Sequence, residues 1–175
     1  MRQRGFSLVE LIAGIVLMTI ALTLLINVFF TGAGRSVEPL LQIRAAEFGQ
    51  ALMEEIAAKR YDEQTPIGGQ PACSGCTAPG SFGPDGGEAT RDLFDDVDDY
   101  NTYCASRQAL EDFSGNSLPE FVNFEMQVCV LYDGDYDGVD DGATADAKLI
   151  VVDIYAPQSG GGKQQIQFTR YRSNF

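Results

Sequence analysis

The chain has 175 residues, with 25 acidic side chains against 12 basic ones, a formal net charge of −13, and neither His nor Trp. That balance argues against nucleic-acid binding, because phosphates repel an acidic surface. The missing His also removes the commonest general base.

Residues 1–5, Met1-Arg2-Gln3-Arg4-Gly5, form a short basic leader, and Phe6 to Phe30 is a run of 25 residues with a single charge, Glu10. About 20 apolar residues suffice to cross a bilayer as a helix, so 6–30 reads as a membrane-spanning helix. A secretory signal peptide instead has an apolar stretch of about 7–15 residues followed by a small-residue cleavage site. Here the cleavable-looking Gly5 precedes the run, which therefore stays with the mature chain. Glu10 is the anomaly, since an ionisable group costs about 2.5–3.5 kcal/mol at the centre of a membrane helix and less near an interface. Either it is solvated at the cytoplasmic interface, or it meets a positive charge. Arg2 and Arg4 precede the span and the next basic residue is Arg35, which favours a cytoplasmic N-terminus and places everything after about residue 30 outside the cytoplasm. With Arg2 and Arg4 set aside, 25 acidic side chains face 10 basic ones, a net of −15.

The segment Arg4-Gly5-Phe6-Ser7-Leu8-Val9-Glu10-Leu11 resembles the signal of type IV prepilins and type II secretion pseudopilins: basic leader, Gly at the cut, Phe as new N-terminus, Glu as fifth mature residue. The resemblance implies that a prepilin peptidase cuts between Gly5 and Phe6 and N-methylates Phe6. It also implies a partner for Glu10, the N-terminal amine of a neighbouring subunit or of its own. An ammonium and a carboxylate attract strongly where water is scarce, while either alone is penalised there.

Between 31 and 60, Leu41, Ala45, Phe48, Leu52 and Ile56 recur every three or four residues, the pattern of a helix with one buried face. The membrane helix is therefore expected to continue into a soluble head over 36–175, where the stripe packs on the head's own sheet. An unbroken helix from Phe6 to about Arg60 would be roughly 80 Å long. Gly32, Gly34 and Pro39 predict a bend or a locally melted stretch near 32–39, since Pro removes a helical hydrogen bond.

Residues 61–120, rich in Gly, Pro, Asp and Ser, read as an irregular insert, whose length without periodicity points to function or constraint. It holds three of the four cysteines, Cys73, Cys76 and Cys104; the fourth, Cys129, lies in a later strand. All four fall beyond the span, in what is expected to be an oxidising compartment, so disulfides are the leading reading. Three pairings are open. A redox-active Cys73–Cys76 pair lacks a βαβ setting, and a four-cysteine zinc site lacks the spacing of a second close pair.

Two acidic clusters stand out. Asp95-Asp96-Val97-Asp98-Asp99 suits either a cation or a solvated turn. The second, from Asp133 to Gly142, contains D-x-D-x-D-G, the opening of a calcium loop with oxygen ligands at alternate positions. Asp133, Asp135, Asp137 and Asp141 are the candidate ligands, and calcium is the only cofactor the pattern suggests. The match is partial: position twelve is Thr144 rather than an acid, unless Asp146 substitutes. The alternative is a solvent-exposed acidic hairpin loop.

In 121–175, Phe124, Met126, Val128, Val130 and Tyr132 alternate with polar residues, Leu149 to Tyr155 is β-branched and stops at Pro157, and Gln165 to Tyr171 alternates again after Gly160-Gly161-Gly162. Three strands with short links pair antiparallel. The expected fold is α+β: a long N-terminal helix packed on an antiparallel β-meander, as in pilins.

The segments 42–60, Gly87-Glu88, Phe94 to Tyr100, Ala147-Lys148-Leu149-Ile150 and Tyr171 to Phe175 resemble the MshD-type minor pilins of the mannose-sensitive haemagglutinin (MSHA) pilus system. That resemblance implies a minor subunit in pilus assembly or initiation, with prepilin peptidase, other major and minor pilins and an inner-membrane assembly platform as partners, and passage from inner membrane to pilus. A type II secretion pseudopilin and a pilus-tip subunit binding a ligand through the insert are the alternatives. No catalytic constellation is present: there is no Ser/His/Asp set and no phosphate-cradling glycine loop.

Overall fold

The computed structural model describes residues 7–175, with the side chains of 7–30 and 38–175. Gly5 and Phe6, the expected processing residues, lie outside the described residues. Two compact units divide at Leu40, Met1–Leu40 and Leu41–Phe175.

Helix α1 runs from Leu8 to Ala57. Its segment Leu8–Phe30 has a mean hydropathy of 2.5 and holds no buried residue. Leu8, Val9, Leu17, Met18, Val28 and Phe29 are all exposed, as suits a helix whose solvent is lipid. In hydrocarbon each polar group must find a partner within the chain. The Thr19 hydroxyl donates to the carbonyls of Ile15 and Val16, at 3.0 and 2.8 Å, and that of Thr23 to Thr19 O at 2.8 Å.

The expected melting near 32–39 does not occur: the backbone is helical across Gly32, Gly34 and Pro39. Pro39 forfeits one hydrogen bond, but extending a helix from formed turns is far easier than nucleating one. One lost bond inside a 50-residue helix does not end it.

In the second unit the final turns of α1 lie on a four-stranded antiparallel sheet in the order β1-β2-β3-β4, with β1 Gln108–Ala109, β2 Glu125–Tyr132, β3 Ala147–Pro157 and β4 Lys163–Ser173. The architecture is α+β and pilin-like. Along β2 burial alternates residue by residue, because successive side chains point to opposite faces of a strand. The buried set Met126, Val128 and Val130 meets Ile150, Val152 and Ile154 of β3 and Ala45, Leu52, Met53 and Ile56 of α1. Leu41 and Phe48 of the predicted stripe are partly buried against the same core. Gly49 lets helix and sheet approach: a Cβ there would overlap the Phe168 ring of β4.

The segment between helix and sheet is irregular yet part of the core. Phe94, Val97, Tyr100, Tyr103 and Leu110 are buried in the main cluster, and Phe94 meets Tyr100 edge to face at 5.1 Å. A short 3-10 helix spans Asp98–Tyr103. The strand β1 was not foreseen, because two residues carry no period.

Candidate functional site

At the N-terminus, Glu10 lies in the first turn of α1. Carboxylates are favoured there, since the first amides of a helix point outward unpaired and present positive charge.

The four cysteines form two bridges. Cys73 joins Cys76, with Cα atoms 5.6 Å apart, and Cys104 joins Cys129, at 4.6 Å; both separations suit the bond. The second bridge ties the end of the 3-10 helix to β2, reinforced by Gln127 Nε2 donating to Cys104 O at 2.8 Å. The first bridge is anchored to the C-terminus: Cys73 N donates to Asn174 Oδ1 at 2.8 Å, and Asn174 Nδ2 donates back to Cys73 O at 3.2 Å.

The acidic loop between β2 and β3 brings Asp133, Asp135 and Asp137 together, with a carboxylate oxygen from each within 4.8 Å of the others. Asp141 is not in this group: its Oδ2 accepts from Gly134 N at 2.8 Å. Asp133 accepts from the amides of Asp137 and Gly138 at 3.0 and 2.8 Å and from the Tyr171 hydroxyl. Desolvation opposes its charge, but these donors outweigh it and hold its carboxyl below the ordinary carboxylate range. The Asp137 charge pushes Asp135 up. Three converging carboxylate oxygens suit a hard cation.

The cluster Asp95–Asp99 is not a solvated turn. Asp96, Asp98 and Asp99 are only 2–3% exposed. Asp96 Oδ1 accepts from the amides of Asp98 and Asp99, and Asp99 Oδ2 from those of Asp95 and Asp96, so the carboxylates cap their own turn. Arg60 pairs with Asp95 and Glu63. Desolvation, reinforced by the charges of Asp98 and Asp99, raises the Asp96 carboxyl to about 8. Burial likewise pushes Asp98 and Asp99 up.

No local pattern marks the group at the centre of this cluster, Lys148. It is fully buried at the start of β3. Its Nζ donates to Tyr61 O at 2.7 Å, to Asp62 Oδ2 at 3.1 Å and to Asp98 Oδ1. The rings of Tyr61, Phe82 and Tyr132 surround it, their centroids 4.6, 4.9 and 5.4 Å away. The residues come from 61–62, 82, 98, 132 and 148, separations at which no local pattern exists.

A pH dependence follows from these carboxyls. A carboxyl whose folded pKa is raised holds its proton more tightly when folded, so its contribution to stability is full below the unfolded pKa and is lost as pH climbs to the folded one. For Asp96 that window runs from 3.8 to about 8, and Asp98 and Asp99 act in the same direction. The head is expected to lose stability between about pH 5 and 8, by up to about 1.4 kcal/mol per pH unit for each proton involved. Thermal melts followed by circular dichroism across that range check it; a flat or rising Tm contradicts it.

Compared with known proteins, residues 1–26 match the family model described as the prokaryotic N-terminal methylation motif. No curated protein and no solved structure matches the chain. The motif, together with the apolar helix that follows it, supports a type IV pilin-like or pseudopilin protein anchored in a membrane.

Proposed function

We propose that the protein is a minor pilin-like subunit of a type IV pilus of the MSHA type, structural rather than enzymatic, that acts in pilus assembly or initiation. The observation that carries this reading is the methylation motif at residues 1–26 running directly into an apolar helix whose membrane-length segment holds no buried residue. Such a helix is built to change surroundings, from lipid before assembly to other subunits after it. Cleavage falls between Gly5 and Phe6, Phe6 is N-methylated, and the N-terminus faces the cytoplasm while the head lies in the periplasm. Prepilin peptidase, other major and minor pilins and the inner-membrane assembly platform are the partners, and assembly carries the subunit to the cell surface.

Glu10 then sets register against a neighbouring N-terminal amine. Glu10→Val removes the charge and is expected to insert normally into the inner membrane yet to be largely lost from sheared fibres, measured by immunoblot of both fractions. Wild-type incorporation removes the ion pair from the mechanism.

Calcium at Asp133, Asp135 and Asp137 is the second part of the proposal, supported by the convergence of their oxygens. Calcium chloride titrated into the detergent-solubilised chain is expected to raise Tm, and Asp135→Asn to weaken the effect. No change at millimolar calcium removes the ion and leaves a hydrogen-bonded acidic turn.

A further inference from the structure

The surroundings of Lys148 go beyond what an ion pair requires. The amine is fully buried, enclosed by three aromatic rings, and lies against two carboxylates that differ in kind. Asp62 is fully occupied as an acceptor: it takes hydrogen bonds from Gln64 N at 3.1 Å, from Thr77 N at 2.8 Å and from Lys148 at 3.1 Å. Asp98 takes no such set of amides. Its carboxyl meets Lys148, and the Asp96 carboxyl is held beside it, with Asp96 Oδ1 accepting from Asp98 N at 2.8 Å. Burial favours the neutral acid form of both Asp98 and Asp96. An amine and a neutral acid held in contact, beside a group able to pass a proton and shielded from water, are the reactants of an amide bond.

We propose that Lys148 and Asp98 are joined by an intramolecular amide between Lys148 Nζ and Asp98 Cγ, with Asp96 relaying the proton. A proton passes from the ammonium to the Asp98 carboxylate. The nitrogen lone pair then attacks Cγ, forming the N–C bond. Asp96 in its acid form donates to the departing Asp98 oxygen and recovers a proton from the nitrogen. One C–O bond breaks, one water leaves with two of the three original Nζ hydrogens, and nothing is oxidised or reduced. Holding two reactants in place gives effective molarities of about 10⁵–10⁸ M, which offsets the weak electrophilicity of a carboxylic acid. The bond would fasten β3 to the segment before β1 across 50 residues, beside the disulfide that fastens the same segment to β2. Three strands' worth of head would then be covalently closed against extension.

Tryptic mapping of the wild-type chain, purified in detergent from membranes, reduced and denatured, tests it. Trypsin cannot cut after an acylated Lys148. The expected product is therefore a branched peptide joining 92–107 to 108–163, lighter by one water than the two together. Quantitative recovery of 108–148 and 149–163 as linear peptides, with 92–107 free, overturns the proposal. A branch from 108–163 to the peptide 61–91, which holds Asp62, overturns the choice of Asp98. Asp96→Asn is expected to slow amide formation by about 100-fold or more, the scale of general acid–base assistance, leaving the linear peptides dominant; undiminished branching in that variant overturns the role of Asp96.

Discussion

Lys148→Met is expected to lower the stability of the head by about 3–5 kcal/mol, because it leaves the carboxyl groups of Asp62 and Asp98 buried without their nitrogen partner. Both carboxylates are almost wholly inaccessible, so water cannot replace the lost partner. Against a typical total stability of about 5–15 kcal/mol, that is enough to leave much of the protein unfolded, with a fall in Tm on the order of 10–20 °C. The Met side chain fills most of the space of the lysine stem, so the effect reports the lost nitrogen rather than a cavity. Adding Asp62→Asn and Asp98→Asn to the same chain is expected to restore a large part of the loss, since neutral amides are far cheaper to bury than unpaired carboxylates. Thermal melts of the single and triple variants decide it. A single variant within about 1 kcal/mol of wild type would mean that the cluster contributes little to the fold.

Replacing Gly5 with a bulky residue is expected to abolish processing altogether. The prediction rests on the methylation motif at residues 1–26 and on the proposed cut after Gly5, where a side chain would intrude on a peptidase pocket suited to glycine. The chain should then accumulate in the membrane uncut, with Phe6 internal and unmethylated. Fibre incorporation should fall to background, because the Phe6 amine proposed to pair with Glu10 would not form without the cut. Intact-mass measurement of membrane and fibre fractions reads both effects. Normal trimming in this variant would refute the cleavage assignment.

Periodicity made much of the fold readable. The stripe through Ala45, Leu52 and Ile56 forecasts the buried face of α1, and the alternation from Phe124 to Tyr132 forecasts β2. Both patterns are local consequences of helix and strand geometry. The melting expected near Pro39 does not occur, because the cooperativity of a long helix outweighs the local effect of one proline. The aspartates from Asp95 to Asp99 resembled a solvated turn because charge normally marks surface. Here self-capping amides, Arg60 and Lys148 supply the missing partners. The candidate calcium residues were legible as a motif, but not the exit of Asp141 to the Gly134 amide.

By itself, then, the sequence determined the features whose physics is local: the basic leader and methylation motif, the length and polarity of the apolar helix, the amphipathic stripe and the three longer strands. Tertiary structure alone decided the pairing of the cysteines, the incorporation of the 61–120 segment into the core, and the enclosure of Lys148. Those depend on which residues meet across tens of positions in the chain. That is set by the packing of α1 and the segment after it on the sheet, an arrangement in which no short run of sequence contains both partners.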